Sequence, residues 1–113
     1  MKIKVVYCKF GEKPKILEID RTLEEMQRLV GGYIETYPYG YAPMVFVVNE
    51  EGKNLGLTPH RLIAHGRDVI CGDFFVAAIG MSEEGCLDIV GLTDEQIHSV
   101  LVTVDNGLSL IHI

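Results

Sequence analysis

The chain has 113 residues, 48% of them apolar, with 16 Asp/Glu against 10 Lys/Arg and a net charge of −6. That size and apolar fraction supply one hydrophobic core and predict a single domain over residues 1–113. The acidic balance excludes non-specific nucleic-acid binding through a basic face, and no run approaches the ~20 apolar residues of a membrane-spanning helix.

The opening MKIKVVYCKFGEKPK has no apolar stretch long enough for a secretion signal before charge returns, so the expected location is the cytoplasm. Residues 2–8 (KIKVVYC) alternate lysine with Ile3 and Val5, and KILEID (15–20) alternates again after Gly11 and Pro14. Together they predict a hairpin with a loop of six residues, 9–14. In TLEEMQRLVGG, Thr22 stands three residues before Glu25 as an N-cap. Leu23, Met26, Leu29 and Val30 make one apolar stripe, and Gly31-Gly32 permits a left-handed exit.

A strand is expected through YIETYPYGY (33–41), ended by Pro38, with a second in MVFVVNE, whose run of apolar residues calls for cover on both faces. NLGLTPHRLIAHGRD reads as a loop with a short helical turn opened by Pro59, and VICGDFFVAAIG as one buried strand with a bulge at Gly72. LTDEQIHSVL repeats the capping pattern with Thr93 and Gln96. VTVDNGLSLIHI fits either a helix end with a trailing strand or a hairpin about Asp-Asn-Gly. The apolar tail needs a partner within the sheet or from another subunit. The expected class is α+β, an antiparallel or mixed sheet of about five to six strands with two helices on one face, in the order β-β-α-β-β-loop-β-α(-β).

Cys8, Cys71 and Cys86 are odd in number and lack C-x-x-C spacing, so reduced, mostly buried thiols are expected. His60, His65, Cys71 and Cys86 have the atom types for zinc but match no ligand frame. Cys71 sits in the apolar run VIC, where a thiol is inert as a nucleophile. No G-x-S-x-G, H-E-x-x-H, phosphate-binding loop or dinucleotide fingerprint occurs. The reading is therefore non-enzymatic, with no metal and no cofactor.

Four of the five tyrosines fall within residues 33–41. On a strand, Tyr33, Glu35 and Tyr37 share a face. If Ile34 points inward, both rings look out, continued by Tyr39 and Tyr41 around the turn. Two readings compete: cross-strand aromatic packing, and a recognition surface that stacks on planar ligands. Arg61 and Arg67 are the only arginines after residue 28 and the natural partners for a phosphate or carboxylate. Asn49 offers polar recognition or simply closes a hairpin turn.

The segments LVGGYIE (29–35), VVNEEGK (47–53), LGLTPHR (55–61), DVICGDFFV (68–76) and LTDEQI (92–97) together resemble a family of small phage- and mobile-element-associated proteins, domain of unknown function 3846. The resemblance runs from Lys2 to about Leu101. The family more often reads L-P-x-N-R and G-T-F-F-V where this chain has LTPHR and GDFFV, so Thr58, His60 and Asp73 depart from it. The resemblance names no reaction and implies an accessory role in a bacterial host, of the kind that counters host defence. The two functions expected are sequestration of a small anionic, nucleotide-type ligand by a homo-oligomer, and occlusion of a host defence protein by the tyrosine surface.

Overall fold

The computed structural model describes residues 2–39, 43–52, 59–63, 68–81 and 83–106, with 59–63, 68, 69 and 104–106 described by their backbone alone. In chain order the elements are β1 (Lys2–Cys8), β2 (Lys15–Asp20), α1 (Leu23–Val30), β3 (Ile34–Pro38), β4 (Met44–Asn49), β5 (Pro59–Ile63), β6 (Asp68–Cys71), β7 (Phe74–Met81), β8 (Leu87–Val90) and α2 (Asp94–Asn106). The class is α+β, as the residue patterns indicate. Among the described residues, no helix is long and apolar enough to cross a membrane.

Six strands form one antiparallel sheet in the order β2-β1-β7-β4-β3, with β8 also paired to β7. Two strands share one side of β7. Val6–Cys8 of β1 lie opposite Val76–Phe74, and Val90–Leu87 of β8 lie opposite Ala78–Met81. Where β8 takes over, the chain passes close to β1, and the Leu92 N–H donates to the Lys4 carbonyl at 2.9 Å. β4 lies along the other side of β7, and β3 closes that edge.

The alternation of side chains along each strand sorts the core into two layers. Val5, Val45, Val47, Phe75 and Ala77 pack with Met26, Leu29 and Val30 of α1. Val6, Phe46, Val48, Phe74 and Val76 pack with Ile97 and Val100 of α2. The helices therefore cover opposite faces, not the single face expected. The cause is in β4 and β7, whose apolar residues on both sides each need a cover that one helix cannot provide. Among the described residues β2 is an edge strand of the sheet, and its sequence mixes charged with apolar residues.

Both capped helices form where the sequence places them. Thr22 Oγ1 accepts from the Glu25 N–H at 3.2 Å, and Gly31 exits α1 with φ 81°. The α2 box is reciprocal: Thr93 N–H donates to Gln96 Oε1 at 2.9 Å, and Gln96 N–H to Thr93 Oγ1 at 3.2 Å.

The middle differs from expectation, and at the end one of the two alternatives is realised. PHRLI is not a loop with a helical turn. It is β5, paired with β6 in a separate two-stranded sheet. VICGDFFVAAIG is two strands, because Gly72 takes φ 92° and turns the chain from one sheet into the other. β8 carries no strong strand signal in LDIV and was not expected. The α2 helix runs to Asn106, so the hairpin about Asp-Asn-Gly does not form, and the LSLIHI tail lies outside the described residues.

Candidate functional site

The tyrosine run divides three ways. Tyr33, just before β3, is 68% exposed. Tyr37 is half-buried against the α2-side core. Tyr39 is only 8% exposed, its ring centroid 4.9 Å from that of Phe46, so it is a packing residue and leaves the proposed surface. The reason is the strand ending: the Tyr39 N–H donates to the Met44 carbonyl at 3.0 Å, which holds the ring over β4. Tyr41 and Arg67 lie outside the described residues, and Arg61 is placed on β5 opposite Ile70 without its side chain.

Asn49 takes the turn-closing role of the two expected for it. It is buried, its Nδ2 donates to the Val30 carbonyl at 3.2 Å, and its Oδ1 accepts from the Glu51 N–H at 2.8 Å. One buried side chain thus satisfies an orphan carbonyl at the end of α1 and closes the turn after β4, a structural role. Gly32 makes room for it, since a Cβ there would stand 2.9 Å from Nδ2.

Cys8 and Cys71 are buried as expected, while Cys86 is exposed. Among the described residues, no three His, Cys, Asp or Glu side chains gather as a metal site. His65 lies outside those residues, as does the side chain of His60.

Among the described residues, two hollows adjoin at the C-terminal end of α1. One hollow of about 400 Å³ is lined by Tyr7, Lys9, Phe10, Arg28, Gly72 and Asp73 with the last turn of the helix. A second, of about 500 Å³, is lined by Glu24, Gln27, Arg28, Gly32 and Tyr33. They share Arg28 and Gly31 and so adjoin at that side chain, and each volume is in the ~300–1,000 Å³ range of small-molecule sites.

Local sequence explains each part. Arg28 follows Glu25 by one helical turn, and Glu25 Oε1 accepts from its Nε at 2.7 Å and also from Nη2. The Asp73 carboxylate, half-buried at the break that Gly72 makes, accepts the Phe10 N–H at 2.9 Å and ties the β1–β2 loop to the start of β7. Tyr7 Oη lies 3.4 Å from both Asp73 Oδ2 and the Leu29 carbonyl and shares its proton between them. Phe10, held by this arrangement, remains 53% exposed. Two exposed rings, Phe10 and Tyr33, therefore belong to the two hollows that meet at Arg28.

Burial pushes the Tyr7 hydroxyl above its ordinary value, and the neighbouring Asp73 carboxylate adds to the effect. A phenol whose folded pKa is raised contributes stability that is present below its unfolded pKa of ~10 and is lost as pH rises through the folded value. Urea unfolding between mildly and strongly alkaline pH should show a loss in the native chain that Tyr7→Phe reduces. Equal losses in both would refute this placement of the hydroxyl.

Sequence reasoning paired the tyrosines with Arg61 and Arg67 and passed over Arg28, which in isolation is half of a helical ion pair. The available signals were Tyr7, the one tyrosine outside the cluster, and Asp73, the departure directly after Gly72. Neither indicates proximity to Tyr33 without the register of β1 against β7. Neither a curated protein nor a solved structure matches the chain. The family model described as "Domain of unknown function (DUF3846)" matches residues 1–105, and the chain belongs to that family.

Proposed function

We propose that the chain is a non-enzymatic binding protein that sequesters a small, planar, anionic ligand of the nucleoside monophosphate class in the groove around Arg28. The observation that supports this reading is the placing of the exposed rings of Phe10 and Tyr33 in adjoining hollows joined at one guanidinium. Aromatic faces stack on planar ligands whatever their substituents, and Arg28 and Lys9, paired in the structure with Glu25 and Glu12, would turn from those carboxylates to the ligand's phosphate.

The rest of the lining limits how much negative charge the site accepts. Asp73 and Glu24 are in the groove walls, and the last carbonyls of α1 carry the negative end of the helix dipole. These acceptors suit the amino groups of a base, whereas a triphosphate would be repelled. As a member of a family of accessory proteins, the chain would use such binding to withdraw a host's nucleotide signal. The competing reading, occlusion of a host enzyme by the tyrosine surface, is weakened by the burial of Tyr39.

Calorimetric titration with AMP and GMP, against ATP and adenosine, tests the proposal. The monophosphates should bind best, with Tyr33→Ala and Phe10→Ala each losing about 1–3 kcal/mol of stacking and Arg28→Ala losing about tenfold or more in affinity. Absence of heat with every nucleotide, or monophosphate binding unaffected by all three substitutions, would remove it.

A further inference from the structure

The hollow on the Tyr33 side of Arg28 is lined by a carboxylate and an amide, Glu24 and Gln27, set one helical turn apart on α1. Glu24 is exposed and Gln27 half-buried. Among the described residues, neither side chain has a hydrogen-bond or ion-pair partner, because Arg28, which also lines the hollow, is turned to Glu25 instead. Both therefore keep bonding capacity for a ligand beside an exposed ring.

Backbone bonds hold these groups in place. The Gln27 carbonyl accepts the Gly31 N–H at 2.8 Å and the Gly32 N–H at 3.1 Å, so the chain turns back at the end of α1 and brings Tyr33 beside the helix. The Tyr33 carbonyl in turn accepts the Glu50 N–H at 2.8 Å, which ties the residue to the turn after β4 while its ring stays in solvent.

A carboxylate offers two acceptor oxygens and no donor, whereas a primary amide both donates and accepts. Among the common bases, guanine presents two adjacent donors, N1–H and the 2-amino group, next to the O6 acceptor. Its donors can take both oxygens of one carboxylate, as a guanidinium does, while O6 takes the amide N–H. Adenine and cytosine present one amino group beside a ring-nitrogen lone pair, which would face the second carboxylate oxygen and be repelled. Uracil sets one N–H between two carbonyls and meets the same conflict.

We infer that the site selects guanine, with Glu24 accepting from N1–H and the 2-amino group, Gln27 donating to O6, and Tyr33 supporting the face of the ring. The inference rests on the proposed function and narrows its ligand from nucleoside monophosphates in general to GMP. The sugar and phosphate then pass Arg28 toward the hollow that holds Lys9.

Calorimetric titration of the full chain with GMP, IMP and AMP tests this. GMP should bind about tenfold or more tightly than AMP, the discrimination of one bidentate base contact. IMP, which keeps N1–H and O6 but lacks the 2-amino group, should fall between them. Glu24→Gln, which replaces an acceptor oxygen by a donor of nearly the same shape, should bring the ratio of GMP to AMP affinity down to about one. Gln27→Glu, which sets a second carboxylate against O6, should lower that ratio too. A purely structural fault would weaken both nucleotides alike and leave the ratio as it was. Equal affinities for GMP and AMP in the wild type, IMP as tight as GMP, or a ratio that survives either substitution would each overturn the selection of guanine and spare the broader ligand reading. Absence of heat with all three nucleotides would remove both.

Discussion

Replacing Phe75 by alanine is expected to cost about 3–5 kcal/mol of folding free energy, the usual loss for a fully buried phenylalanine. Phe75 has no exposed surface and lies between Tyr7 of β1 and Val47 of β4 in the layer beneath α1. Strands fixed by hydrogen bonds on both sides of β7 cannot collapse into the void, which places the cost toward the upper end. With a urea m-value of roughly 1.5 kcal/mol per M, the unfolding midpoint falls by about 2–3 M. Phe74→Ala should cost a similar amount in the other layer, where the Phe74 ring meets that of Phe46 at 5.6 Å. The two rings are neighbours in sequence but occupy opposite faces and share no cavity, so the losses should add. Their sum, about 6–10 kcal/mol, matches the whole stability of an ordinary domain. The double variant should therefore be unfolded without denaturant, and a folded double variant would show that the two layers are not separate.

Gly52→Ala is the second large effect. A Cβ at Gly52 would stand inside 3.0 Å of the Cys71 carbonyl oxygen. The obstacle is backbone held in β6, with no side chain that can swing away. The turn after β4 must then lift off β6, and the Asn49 carbonyl, which accepts the Gly52 N–H at 3.2 Å, moves with it. A strain of about 1–3 kcal/mol corresponds to a melting temperature lower by about 5–20 °C, at the ~4–8 °C per kcal/mol of a domain this size. The same displacement draws Asn49 from the end of α1, so hydrogen exchange should quicken at Gly31 and Gly32. An unchanged melting temperature would show that the turn and β6 do not touch.

The parts of this fold that were legible in the sequence are those fixed by neighbours along the chain. Thr22 with Glu25, and Thr93 with Gln96, mark helix starts because a cap needs only residues one turn apart. The alternation in KIKVV and KILEID gives the first hairpin for the same reason. MVFVV and FFVAA give buried strands, but not what buries them, since apolarity on both sides is silent about which helix comes to which face. Gly72 was visible as a break but not as the point where the chain changes sheets, because that depends on β5 being available to pair with β6. The site shows the same limit. Tyr33 is exposed as its place in the alternation implies, while Tyr39, two residues past Tyr37, is drawn inside by a hydrogen bond to Met44 across a turn. Arg28 joins Phe10 and Tyr33 only through the packing of α1 against the sheet, which no local pattern encodes.

The sharing of one side of β7 by β1 and β8 constrains the order in which the molecule can be assembled during synthesis. The turn joining β7 to β8 is short, from Met81 to Leu87, and closes within microseconds, whereas β1 must find β7 across more than sixty residues of chain. On a ribosome the N-terminal hairpin emerges first yet has no strand to join until β7 is made. In the folded molecule β8 occupies the far half of that side, which confines β1 to the half where Val6–Cys8 stand against Phe74–Val76. The β7–β8 hairpin thus acts as a stop against the sliding of β1 along β7.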